Sequence, residues 1–138
     1  MTAREQPALM RPVLAAGALL ALLGVMAGAF GAHGLRTLAD TRGLEVFQTA
    51  VTYQIYHSFA LVLVAMLAGM GLSRRLLKWA AGFYLTGILL FCGSLYLLVL
   101  TDLRWPGPVT PAGGICFMVG WGILVAAALR RESSSGGA

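Results

Sequence analysis

Four apolar stretches constrain the fold of this 138-residue chain more than any other feature. They run over residues 12–32, 52–72, 76–100 and 111–129. A hydrocarbon core of about 30 Å needs roughly 20 apolar residues of helix. None of the stretches carries a charged side chain in its middle, and a backbone in lipid must satisfy its own hydrogen bonds. The sequence therefore predicts an all-α membrane protein built as a bundle of four transmembrane helices.

The composition supports this fold class, since 59% of the residues are hydrophobic, 11% are charged and the mean hydropathy is +0.82. Soluble domains carry about 25% charged residues. The net charge is +5, but the basic residues lie in short clusters between apolar stretches, not along one face with aromatic residues. This arrangement argues against a nucleic-acid partner and indicates the lipid bilayer as the surrounding medium.

The basic clusters also predict the domain organisation and the orientation. We expect a cytoplasmic N-terminal segment (residues 1–11), a transmembrane domain (residues 12–130) and a flexible low-complexity tail (residues 131–138). Seven basic residues fall on the side of the two termini and three on the other, which places both termini in the cytoplasm of the inner membrane. A cleaved signal peptide is the alternative interpretation of the first stretch, but that stretch is longer than the usual 7–15 apolar residues.

Small residues form a stripe along the first predicted helix, at alternating spacings of four and three: Gly17, Ala21, Gly24, Gly28 and Gly31. In lipid, small residues let helix backbones approach closely, so the stripe predicts a tightly packed seam. The partner is either another helix of the same chain, which the short connections favour, or a second copy. Shorter versions of the pattern pair Ala65 with Gly69, Gly82 with Thr86, and Gly122 with Ala126.

The segment of residues 40–51 is too polar to be part of a lipid-embedded stretch and has apolar residues at helical spacing. It predicts a short amphipathic interfacial helix between spans 1 and 2, either separate or continuous with the second span. Asp40 or Thr41 is the expected N-cap of this helix, and Thr110 that of the fourth span, before Pro111. Cys92 and Cys116 are expected to be free thiols, and Trp79, Tyr84, Trp105 and Trp121 mostly suit interface positions.

His33 ends the first stretch and His57 lies near the start of the second, so we expect both at one edge of the bundle. With Gln54, Tyr53 and Tyr56 they form a candidate cluster that either binds a ligand or joins the helices by hydrogen bonds. The ligand would be a metal, a haem or a quinone-like headgroup, and proton passage is a further alternative. Zinc sites normally use three or four ligands, which favours the hydrogen-bonded interpretation and leaves the metal and the cofactor unknown.

Three motifs carry a family resemblance: GAFGAHGL at residues 28–35, FQTAV at 47–51 and YQIYH at 53–57. With them, the chain resembles the YgdD/YwdK-type small membrane proteins, domain-of-unknown-function family 423, whose relatives include transmembrane protein 256. The resemblance extends over residues 12–130. It implies a multi-pass inner-membrane protein, argues against signal cleavage and supplies no established activity.

The function that these patterns favour is a non-enzymatic accessory or scaffold protein, which associates with other membrane subunits or with itself. A ligand-binding protein with its site at His33 and His57 is the first alternative. A small transporter or channel is the second, although transporters usually show intramembrane charges or broken helices.

Overall fold

The computed structural model describes residues 6–101 and 103–130, with side chains from residue 11 onward. It contains four long helices: α1 (Gln6–His33), α2 (Thr41–Leu67), α3 (Arg74–Leu100) and α4 (Val109–Leu129). Each is long and apolar enough to cross a bilayer, so the predicted four-helix transmembrane fold is confirmed. Residues 1–5 and the tail predicted at 131–138 lie outside the described residues.

The polar segment after α1 is not a separate helix, because it forms the first turns of α2. Asp40 is the N-cap, as predicted, and its Oδ1 accepts a hydrogen bond from the Gly43 N–H at 2.8 Å. A helix of 27 residues is about 40 Å long, which exceeds the hydrocarbon thickness of about 30 Å. The first turns of α2 therefore extend beyond the hydrocarbon. The helix continues into a short 3₁₀ turn and ends at Gly71, which has the positive φ of 85° typical of a helix C-terminus.

The glycines of α1 face α2, so the seam lies within one chain. A Cβ atom at Gly17 would lie 2.9 Å from the carbonyl oxygen of Ser58, and one at Gly31 would lie 2.9 Å from a ring carbon of Phe47. The two helices are antiparallel, with Gly17 level with Ser58 and Gly31 level with Phe47. The backbones approach closely only because the side chains on this face of α1 are absent.

A second close pair, α3 with α4, also depends on glycines. Gly87 lies against the ring of Phe117, Gly113 against the backbone of Phe91, and Gly120 against the ring of Tyr84. The sequence patterns indicated other positions. At three glycines of the predicted patterns, no atom lies within 4 Å of the position that a Cβ would occupy, so they are not part of a seam: Gly69, Gly82 and Gly122.

The α3 helix contains a π-helical turn, Ile88–Cys92, at its contact with α4. On the N-terminal side of this turn the core is mainly apolar, with Leu61, Val64 and Leu77 completely buried. Within the described residues no strand occurs. Cys92 is buried and Cys116 is half-buried, and both are free thiols. The close α3–α4 contact includes the π turn at Phe91 and extends to Gly87 and Tyr84 on its N-terminal side.

Thr110 does not cap α4, contrary to the prediction, because the helix begins two residues earlier than predicted, at Val109, and has Pro108 at the N-cap position. The Thr110 hydroxyl lies instead 2.6 Å from the Ser94 hydroxyl on α3. Its polar group thus joins two helices.

The Gly17→Ala substitution is expected to lower the free energy of unfolding by about 1–3 kcal/mol, because the new methyl group meets the α2 backbone. Gly82→Ala is the matched control. Gly82 has open space around it, so alanine there is expected to be neutral or to stabilise the helix by up to about 1 kcal/mol. Reversible unfolding in mixed micelles, followed by circular dichroism, measures both. Equal losses for the two variants would contradict the seam.

Candidate functional site: a buried polar network

Gln54 connects three helices through a single side-chain amide. It is 5% exposed, its Nε2 donates to the Leu20 carbonyl oxygen of α1 at 2.8 Å, and its Oε1 accepts from the Tyr96 hydroxyl of α3 at 2.7 Å. The first of these bonds lies beside the glycine seam, where a Cβ at Gly24 would be in van der Waals contact with the Gln54 Nε2 at 3.5 Å. The amide is therefore satisfied at both ends by groups from different helices.

His57 connects α2 to α4 and is 4% exposed. Its Nδ1 lies 2.7 Å from the carbonyl oxygen of Tyr53, and its Nε2 lies 3.2 Å from the indole nitrogen of Trp121. A carbonyl only accepts and an indole N–H only donates, so the proton must sit on Nδ1 and Nε2 must accept. His57 is therefore a neutral imidazole with both nitrogens engaged. Its ring stacks on Phe117, with centroids 3.5 Å apart and planes at 10°.

Short hydroxyl bonds complete the network. Ser58 donates to the Gln54 carbonyl oxygen at 2.6 Å, and Ser94 donates to the Phe91 carbonyl oxygen at 2.9 Å beside its contact with Thr110. The Tyr84 hydroxyl is the exception, since it is buried without a hydrogen-bond partner among the described residues. In the described part of the chain, the polar side chains of the interior thus mainly hold helices together.

The structure does not bring the two histidines together. His33 is exposed at the end of α1, and the register of the seam puts it near residue 45 of α2. His57 is then about twelve residues, or about 18 Å, further along the bundle. The prediction that both lie at one edge is wrong because the second helix begins at Thr41, which leaves His57 about four turns inside it.

Tyr53 and Tyr56 lie on the outer surface of α2 and are 40% and 60% exposed. Tyr53 contributes its carbonyl oxygen to the network, and its ring packs against Phe91 with centroids 4.7 Å apart. Among the five predicted cluster residues, the structure thus buries Gln54 and His57 and leaves the other three at the surface.

Sequence reasoning missed Tyr96, Trp121 and the Leu20 carbonyl as partners in this network. It assigned Trp121 and Tyr84 mostly to the interface, whereas Trp121 bonds to buried His57 and Tyr84 is fully buried. A usable signal was present, because Tyr and Trp usually need a hydrogen-bond partner when they lie inside a protein. A count of the tyrosine and tryptophan donors within the spans would have called for acceptors there, and Gln54 and His57 are the side chains that accept from them.

The donor set does not fit a metal ion or a haem held by both histidines. Such sites need ligand atoms within a few ångströms of one ion, whereas His33 and His57 are about 18 Å apart. In residues 6–101 and 103–130, no three His, Cys, Asp or Glu side chains come close enough to share a metal ion. The geometry instead resembles polar groups that join transmembrane helices.

Comparison with known proteins identifies the family. A family model described as "Protein of unknown function (DUF423)" matches residues 27–114, from the end of α1 to the start of α4. The chain belongs to this family. The expected resemblance is thereby confirmed, and the matched region contains Gln54, His57 and Tyr96.

Several relatives are similar over most of their length. The UPF0382 membrane protein SAB0533 of Staphylococcus aureus (strain bovine RF122 / ET3-1) is 41% identical over 83% of this chain and 92% of its own. The UPF0382 membrane protein YwdK of Bacillus subtilis (strain 168) is 40% identical over 88% of this chain and 98% of its own. Both are named as membrane proteins, in agreement with the four spans. No solved structure matches the chain.

Replacement of Gln54 by alanine is expected to lower the free energy of unfolding by about 1–3 kcal/mol, because it leaves the half-buried Tyr96 hydroxyl without its acceptor. Gln48→Ala is the matched control on the same helix, since Gln48 is exposed and reaches only Thr52, at 3.5 Å. A double-mutant cycle with Tyr96→Phe isolates the bond, with an expected coupling of about 0.6–1.7 kcal/mol. A coupling of zero would show that the bond does not form in the membrane.

Proposed function

We propose that this member of an uncharacterised membrane-protein family is a non-enzymatic accessory or scaffold subunit of a larger membrane assembly. It would lie in the bacterial inner membrane with both termini in the cytoplasm, as the distribution of basic residues favours. The observation that carries the proposal is the use of the interior polar side chains. Gln54 bonds to α1 and α3, and His57 bonds to α4.

These bonds support a rigid unit. The other three helices are each attached to α2 by a side-chain hydrogen bond, and two helix pairs, α1 with α2 and α3 with α4, are closely packed at glycines. A transporter needs helices that move apart and polar groups that face a path. Here the interior hydrogen bonds would have to break for such movement, so this observation favours the accessory role over transport.

The outer surface supplies the faces that a partner would contact. In the described residues α1 packs mainly against α2, and the rest of its surface is apolar and exposed, including Leu22, Val25 and Met26. Such a face packs equally well on lipid or on a neighbouring helix, because lipid tails are as apolar as these side chains. A rigid bundle keeps this face in one arrangement for an adjoining subunit.

A photoreactive amino acid at Val25, which is 64% exposed, tests the proposal in native membranes. We expect a defined crosslink to another protein, and a mild-detergent extract that migrates well above the 14.5 kDa chain. The same probe at fully buried Leu61 is the control and should give no intermolecular product. Free monomer, with lipid as the only crosslinked species at Val25, would contradict the accessory role.

A second candidate function, binding of a quinone-like ligand, is favoured by an aromatic groove of about 380 Å³ on the outer surface. Its walls include Tyr53, His57, Phe91, Phe117 and Trp121. The Tyr53 hydroxyl has no hydrogen-bond partner in the described part of the chain and is available to donate to a ligand carbonyl. The flat ring walls suit a planar headgroup, since aromatic rings pack favourably on one another.

Quenching of Trp121 fluorescence tests this candidate in the Trp79→Phe, Trp105→Phe background, where Trp121 is the remaining tryptophan. Titration with a short-chain quinone is expected to saturate. Tyr53→Phe should weaken binding about three- to tenfold, the usual contribution of one hydrogen bond. Tyr56→Phe, at an exposed neighbouring position outside the groove, should leave it unchanged. Quenching that rises without saturation in all variants would exclude a specific site.

A further inference from the structure

A second groove, of about 460 Å³, lies between the start of α2 and the end of α3. Two arginines line it: Arg42 from the first turn of α2, and Arg104 from the connection between α3 and α4. Its apolar wall consists of Val46, Leu98 and Val99. The groove therefore combines two cationic groups with an apolar surface, and nothing in the hydrogen-bonded network of the interior uses it.

The two arginines outnumber the one carboxylate, that of Asp40, among the described residues that line the groove. Neither has an ion-pair or hydrogen-bond partner among residues 6–101 and 103–130. Asp40 also lines the groove, and its Oδ1 accepts from the Gly43 N–H at the helix N-terminus. This hydrogen bond does not remove the charge of the carboxylate, so two arginines and one carboxylate leave one net positive charge on the described lining. Arg42 lies in the first turn of α2, where the helix dipole disfavours a positive charge. An anion in the groove would reduce the repulsion between the two arginines and the unfavourable interaction of Arg42 with the helix dipole.

The groove presents cationic and apolar groups next to each other, and these are the two kinds of contact that a phospholipid needs. Arg42 and Arg104 lie at the membrane face that holds the α1–α2 and α3–α4 connections. Val99, in the last turn of α3, is level with Gly43, and Val46 is one turn deeper in α2. Guanidinium groups bind phosphate oxygens with paired hydrogen bonds, and apolar side chains pack on acyl chains. A free phosphate would contact the arginines and leave the apolar wall unused.

We propose that this groove binds one anionic phospholipid, with its headgroup phosphate between Arg42 and Arg104 and an acyl chain along Val46 and Val99. The charge complementarity selects an anionic over a zwitterionic headgroup. The proposal is independent of the accessory role and of the aromatic groove, because it uses neither the outer face of α1 nor the residues around His57.

Native mass spectrometry of the full-length protein in detergent, with added phosphatidylglycerol or phosphatidylcholine, tests the site. We expect one tightly bound phosphatidylglycerol per chain and weaker binding of phosphatidylcholine. The double variant Arg42→Gln, Arg104→Gln should bind phosphatidylglycerol about 25-fold more weakly, since each basic residue near an anionic lipid contributes about fivefold. Both positions are exposed, so circular dichroism should show an unchanged helix content.

The double variant Arg36→Gln, Arg75→Gln is the matched control, because it removes two exposed basic residues that do not line the groove. It should bind phosphatidylglycerol like the unmodified protein. An equal loss in both double variants would reduce the effect to general electrostatic attraction and overturn the proposal. So would equal affinity for the two lipids, or full competition by millimolar inorganic phosphate, which would show that the acyl chain contributes nothing.

Discussion

The satisfaction of polar groups inside lipid is the constraint on which the rest of this bundle depends. Lipid offers no hydrogen bonds, so a buried amide or imidazole needs partners from the protein. Gln54 finds them on α1 and α3, and His57 finds one on α4. Each bond contributes only about 0.6–1.7 kcal/mol to association, but the cost of leaving such a group unpaired is larger. The network therefore selects the arrangement of the helices in which the buried polar groups are paired. Its contribution to the total stability is smaller.

The close packing at glycines and the polar network require each other. The Gln54 amide reaches the Leu20 carbonyl beside Gly24, and a larger residue at Gly24 would meet the Ile55 side chain, whose Cδ1 would lie 2.6 Å from the new Cβ. On the other side of the bundle, Phe117 packs against Gly87 and stacks on His57, so the α3–α4 contact also positions the imidazole. Rotation of any helix about its axis would thus disturb a packed seam and a hydrogen bond together.

The spans were predictable from the sequence because twenty consecutive apolar residues have few structures open to them in a bilayer. The α1 seam was predictable for a similar reason, since its stripe of small residues is long. The α3–α4 seam was not, because Gly87, Gly113 and Gly120 lie on two helices and form a pattern only after the helices are paired. The depth of His57 was misjudged because hydropathy places the second span at residue 52, whereas Asp40 starts the helix.

The polar network around Gln54 and His57 was also only partly predictable from the sequence. Gln54 and His57 were identified from their residue types, but the choice between a ligand site and a helix contact depends on what their free atoms face. In the structure both nitrogens of His57 are engaged, and His33 lies apart from it. With the interior donors and acceptors mainly paired, recognition by this protein is expected at its outer surface. There the arginine groove, the aromatic groove and the apolar face of α1 are held in constant relative positions by the bundle beneath them.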